Sequence, residues 1–113
     1  MITLSEACKI IQTNIPRCRI ISCEDYGDFY AFDMKPRTWN GDRKTCPIGG
    51  GIDAVNKTTG DIFGISIESL FEYDDSVIKT LDILPYLSNE DRVFAMKVQK
   101  RIEEDNRRLE EMD

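Results

Sequence analysis

Four cysteines, Cys8, Cys18, Cys23 and Cys46, are the side chains of this sequence best suited to nucleophilic or metal chemistry. Neither chemistry has its usual partner. The chain contains no histidine, so a Cys–His or Ser–His pair cannot form and the commonest general base is missing. Zinc sites draw on close pairs such as C-x-x-C, whereas the nearest cysteines here are Cys18 and Cys23. The even count would allow two disulfides, but no secretion signal supports them. The thiols therefore read as reduced and mostly buried. No serine sits in a G-x-S-x-G elbow. Gly49-Gly50-Gly51 has the composition of a phosphate cradle, yet it leads into a strand pattern and lacks a following Lys-Ser or Lys-Thr, which fits a β-bulge or strand entry. The carboxylates are many but scattered, and Asp33 is the one its neighbours would direct inward. The expectation is a protein with no catalytic residue, no cofactor and no metal. An enzyme working with paired carboxylates is the rival class.

Two stretches have the chemistry of recognition instead. The loop Lys35–Pro47 holds two prolines, an Asn-Gly turn, four basic residues and the only tryptophan. Trp39 beside Arg37 and Arg43 has the composition of a binding hot spot. The alternative is that Trp39 folds back over the edge of the core. Glu68–Asp75 has the opposite sign: Glu68, Glu72, Asp74 and Asp75 alternate loosely with Leu70, Phe71 and Tyr73. It reads either as a loop whose aromatics tuck onto the domain or as an acidic-aromatic contact surface.

Composition limits the partners. The chain has 113 residues, 41% of them apolar, 32% charged, and a net charge of −6. That length suits one domain, with room for an appendage. The acidic balance disfavours nucleic acid and anionic membrane, both of which need a local excess of Lys and Arg. It suits a basic protein partner. No apolar run approaches the ~20 residues of a membrane span, and Glu6 and Lys9 interrupt any signal-like segment at the start. A cytoplasmic protein is expected.

The elements that must position these residues come from periodicity and punctuation. Thr3 and Glu6 form a capping-box pattern, and Leu4, Ala7, Cys8, Ile11 and Ile15 recur at helical spacing until Pro16. This predicts a helix over 4–14. Antiparallel strands are expected near 18–24, 28–34, 51–56 and 62–67, with Cys18 and Ile20 inward rather than Arg19. Tyr30, Phe32 and Met34 should share one sheet face, and Phe29, Ala31 and Asp33 the other. The strongest local signal is the hairpin turn Asn56–Asp61, with Gly60 where positive φ is needed. Val55 and Phe29 give the face away from the first helix some apolar character. A short helix is expected near 76–83, capped by Asp75 or Ser76. A charged helix follows from about 89 to 110, with Ser88 as cap and Asp91 completing a box. Its thin stripe, Ala95, Val98, Ile102, Leu109 and Met112, should pack on its own domain or on another chain, a homodimer included. The fold class is α+β: a helix packed on a four-stranded antiparallel meander over 1–87, with a helical extension over 88–113.

The leading helix, the aromatic strand Asp28-Phe29-Tyr30-Ala31-Phe32, the Gly-rich entry and the turn Val55-Asn56-Lys57-Thr58-Thr59-Gly60 together form a recognisable pattern. It resembles the small immunity proteins of bacterial polymorphic-toxin systems, whose second hairpin carries a V-D-K-x-T-G-type turn. Asn56 stands where that pattern has Asp, and the helix after Ser88 is not part of it. The resemblance spans about 1–87. It implies a non-enzymatic protein that binds and neutralises a cognate toxin, and it carries no catalytic residue. A structural or assembly protein of a phage or mobile element, joined through the last helix, is the other reading.

Overall fold

The computed structural model describes residues 1–45 and 52–111. The predicted first helix is present as α1 (Leu4–Asn14), and its start is the expected capping box. Thr3 Oγ1 accepts the Glu6 amide at 3.2 Å, while the Glu6 carboxylate accepts the Thr3 amide at 3.5 Å. Ala7, Cys8 and Ile11 form its buried face, and Ile15 caps its end just before Pro16.

Among the described residues the sheet is antiparallel and has five strands rather than four, in the order β4-β3-β2-β1-β5. Its strands are β1 (Cys18–Asp25), β2 (Phe29–Pro36), β3 (Ile52–Asn56), β4 (Ile62–Ile65) and β5 (Lys79–Leu81). The β3–β4 turn closes with Gly60 at φ 78°, and a Cβ there would lie 2.7 Å from Ile2 Cδ1. Asn56 Oδ1 accepts the amides of Thr58 and Thr59, which ties the turn locally. Ile67, expected in the second hairpin strand, instead opens a one-turn helix, α2 (Ile67–Leu70), because the Ser66 hydroxyl accepts the Ser69 amide and caps it.

The fifth strand replaces the helix expected near 76–83. Asp74, not Asp75 or Ser76, caps a single 3-10 turn at Asp75–Val77, and the chain then extends. The unpaired edge of β1 at Cys23–Asp25 takes up Lys79–Leu81. The β-branched Ile78 and Thr80 favour that extended form, and β5 sends Leu81 to one core while Ile78 packs against the other. Further along, a 3-10 turn (Leu84–Tyr86) leads to α3 (Asn89–Glu111).

α1 covers one sheet face, where Tyr30 and Phe32 join Ile20, Cys23 and Val55. The opposite face gathers Tyr26, Phe29, Ala31 and Ala54 under Leu70 of α2. Val55 therefore lies on the α1 side, not opposite it, because the register pairs it with Tyr30. Arg19 also departs from expectation. The β1–β2 register shifts between Ile20 and Ser22, so Ile20 and Ile21 are both buried, in different clusters. Arg19 is drawn inward as well, with its side chain 13% exposed, because an acid of α3 neutralises it.

α3 runs against the part of β1 that β5 leaves free. Gln99 Nε2 donates to the Ile21 carbonyl at 3.3 Å. Ala95 enters the α1-side core and Val98 packs with Ile21 and Trp39. The first half of the helical stripe is thus consumed within the chain, leaving Ile102 and Leu109 exposed. The glycine entry Gly49–Gly51, Cys46 and the final stripe residue Met112 lie outside the described residues.

Candidate functional site

The basic loop and the acidic segment are placed in opposite ways. Trp39, a candidate surface anchor, is buried at 8% exposure. Its ring stands edge-on to Phe94 of α3 at 5.9 Å, and its Nε1 donates to the Asp42 carbonyl at 3.0 Å. It covers the core edge, the second of the two readings its sequence allowed, and is not an exposed hot spot. Arg37 is likewise engaged within the chain: Nη1 and Nη2 donate to the two carboxylate oxygens of Asp91 at 2.9 and 3.1 Å. Nε of Arg37 donates to the Pro16 carbonyl at 2.7 Å. Arg43 opens the 3-10 turn Arg43–Thr45, and of this residue only the backbone is described.

Asp91 is the buried acid among the described residues, at 3% exposure. It was expected to complete a capping box with Ser88. Ser88 Oγ does accept the Asp91 amide at 3.2 Å, but the Asp91 carboxylate serves two arginines instead. Arg19 Nε donates to it at 3.2 Å, Arg19 Nη2 reaches Glu90 at 3.0 Å, and the guanidinium lies 4.5 Å over the Phe94 ring. Hydrogen bonding to Asp91 pushes the Arg37 pKa upward. The signal in the sequence was periodicity: Asp91 lies four and seven residues before Ala95 and Val98, on the stripe that turned out buried. Asp33, the acid expected inward, is 40% exposed and pairs with Lys35 at 3.4 Å. These groups bind one another, and the arrangement holds α3 to the sheet.

The acidic segment is the surface left open. It folds over the sheet face away from α1 and splits the two readings of its sequence between its residues. Leu70 turns inward, while Tyr73, 37% exposed, lays its ring against the aromatic cluster. Tyr73 meets Tyr26 at 5.3 Å and Phe29 at 5.7 Å, both edge-on, while Tyr26 and Phe29 stack at 5.2 Å. Phe71 and Ile67 turn outward, at 80% and 53% exposure. Glu68, Glu72, Asp74 and Asp75 are exposed around them. Asp74 accepts the Ser76 amide at 2.9 Å, which lowers its pKa and fixes the turn. Phe71 helps line a groove of about 440 Å³ with Tyr26, Ile52, Ile67, Leu70 and Ile78, and the polar Glu24, Asp75 and Thr80 complete the lining. Glu24 and Tyr26 come from the β1 end and belong to this surface, although nothing local in the sequence joined them to residues 68–75.

A larger basin of about 640 Å³ lies between the basic loop and the far half of α3. Lys44, Lys97, Arg101 and Arg108 line it together with Asp42, Glu104 and Asp105, so cations and acids are mixed there. Arg101 is committed to the Gly41 carbonyl at 2.9 Å.

Among the described residues no group of three or more Cys, Asp or Glu is arranged to hold a metal ion. Cys8, Cys18 and Cys23 are free thiols. Burial pushes Cys8 up to about 11 from 9.0 and raises Cys23 further, with Cys8 and Asp25 adding to the effect. Alkylation of the native protein, followed by peptide mass spectrometry, should modify the half-buried Cys18 well before Cys8 or Cys23. The same burial has a pH signature. Cys8 ionises first in the unfolded chain, so its contribution is constant below pH 9.0 and stability should fall as pH rises from there to about 11. Urea melts across that window check it, and unchanged stability would contradict it.

No helix among the described residues is long and apolar enough to cross a membrane. No protein-family model matches the chain, and no curated protein or solved structure matches it at a significant level. Fold and surface define an α+β domain with one sheet face sealed by a helix and the other bearing an acid-ringed apolar patch.

Proposed function

We propose that this chain is a non-enzymatic, cytoplasmic protein-binding module that acts as an immunity-like inhibitor of a bacterial toxin. The observation that supports it most is the pair Phe71 and Ile67, exposed side by side within a ring of acids. Adjoining apolar side chains held out on a folded surface, unlike single ones, mark interaction sites. Acids around them favour a basic partner, speed the encounter and oppose wrong partners. A nuclease-like toxin has such a basic surface, which this patch would mask. The resemblance of the 55–60 turn and aromatic strand to immunity proteins points the same way.

The test is co-expression with a toxin encoded beside this gene. The wild-type chain should restore growth and elute with the toxin on gel filtration. The double variant Ile67→Ser/Phe71→Ala should bind at least about 30-fold more weakly, as expected when a central aromatic anchor is lost. Equal killing with and without the chain, or full protection by the double variant, would refute the reading.

A further inference from the structure

We propose that the groove that Phe71 helps line receives an arginine side chain from the protein partner, its stem along Tyr26, Leu70 and Ile78 and its guanidinium between Glu24 and Asp75. This inference rests on the protein-binding reading and specifies what the patch recognises. The lining has two parts of different chemistry. Tyr26 and Leu70 are buried members of the apolar cluster on this sheet face, and Ile78 packs against them. Glu24 and Asp75 supply the carboxylates of the lining, one from β1 and one from the 3-10 turn before β5. Neither takes part in the ion pairs of the described residues, which join Arg19, Arg37, Lys35 and Lys57 to other acids. Both acids also act on the same point, since after burial they are what raises the Tyr26 phenol.

An occupant must match both parts. An apolar side chain would suit the walls but would strip water from two carboxylates without replacing its hydrogen bonds. An acidic group would be repelled. A long basic side chain buries its methylenes along apolar surface and leaves its charge free to meet polar groups. Arginine fits better than lysine, because its planar guanidinium stacks on an aromatic ring and donates to carboxylates in a fixed fork.

The groove can be probed without the partner. The ¹⁵N-labelled full chain is titrated with N-acetyl-arginine methylamide, and with N-acetyl-citrulline methylamide as its uncharged counterpart. Saturable shifts are expected at the amides of Tyr26, Leu70, Phe71 and Ile78. Affinity should fall at least fivefold for the citrulline compound and for Glu24→Gln/Asp75→Asn, near-isosteric changes at a half-buried and an exposed position whose retained fold is checked by circular dichroism. Equal shifts with citrulline, shifts spread over the acidic surface without saturation, or undiminished binding by the double variant would overturn the proposal. The two readings fail separately. A toxin complex lost in Ile67→Ser/Phe71→Ala but unchanged in Glu24→Gln/Asp75→Asn would leave the module standing and remove the arginine.

Discussion

Replacing Asp91 by alanine is expected to destabilise the fold by about 3 kcal/mol, the lower end of the cost of orphaning a buried charge partner. For a chain of this length that corresponds to a fall of roughly 13 °C in the melting midpoint. Asp91 is 3% exposed and meets both Arg19 and Arg37. The two arginines do not lose equally. The Arg37 side chain is 41% exposed and can turn to water, whereas that of Arg19 is 13% exposed and lies over the Phe94 ring. Glu90 would still face Arg19, but its own side chain is 78% exposed, so that pair offsets little. Arg37→Ala should cost less, about 1 kcal/mol, because Asp91 keeps Arg19. A double-mutant cycle over the Arg37–Asp91 pair should then show coupling of about 1 kcal/mol or more. Urea unfolding of the three variants reads these values. Asp91→Ala within about 1 kcal/mol of wild type would mean that α3 is held by its apolar packing and by bonds such as Gln99 to the Ile21 carbonyl, not by this carboxylate.

Local and distant interactions differ sharply in how much of them the sequence displays. α1 was legible to the residue because cap, apolar period and proline all act within a few positions of one another. The faces of β2 were legible for the same reason, through strict alternation from Phe29 to Met34. β5 was not, since its extended form is chosen by an edge of β1 more than fifty residues earlier. The bulge at Ile21 hid behind two adjacent isoleucines, either of which could have been the buried one. The sequence left Trp39 open between anchor and core cover, and Arg37 without a partner, because Phe94 and Asp91 are on a helix that composition marks as an appendage. The outward patch was half legible. Residues 68–75 announce charge with aromatics, but which aromatic points out depends on the cap at Ser66 and on Tyr26 beneath.

Phe32→Ala is expected to cost about 4 kcal/mol, while Phe71→Ala should change stability by less than about 0.5 kcal/mol. Phe32 is fully buried in the middle of β2, packed in the cluster that α1 closes. Truncating it removes the transfer energy of the ring and leaves a cavity in a core whose walls come from β1, β3 and α1. Those walls are fixed by the ladder on both sides of β2, so the site cannot collapse to recover contacts. Phe71, at 80% exposure, has little to lose on the folded side. The contrast separates what the two aromatics do. If Phe71→Ala proved as damaging as a core truncation, the ring would be part of the fold and the outward patch would not be a free surface. If it leaves the urea midpoint unchanged yet abolishes the proposed protection in the co-expression test, the ring contributes to a partner what Phe32 contributes to the core.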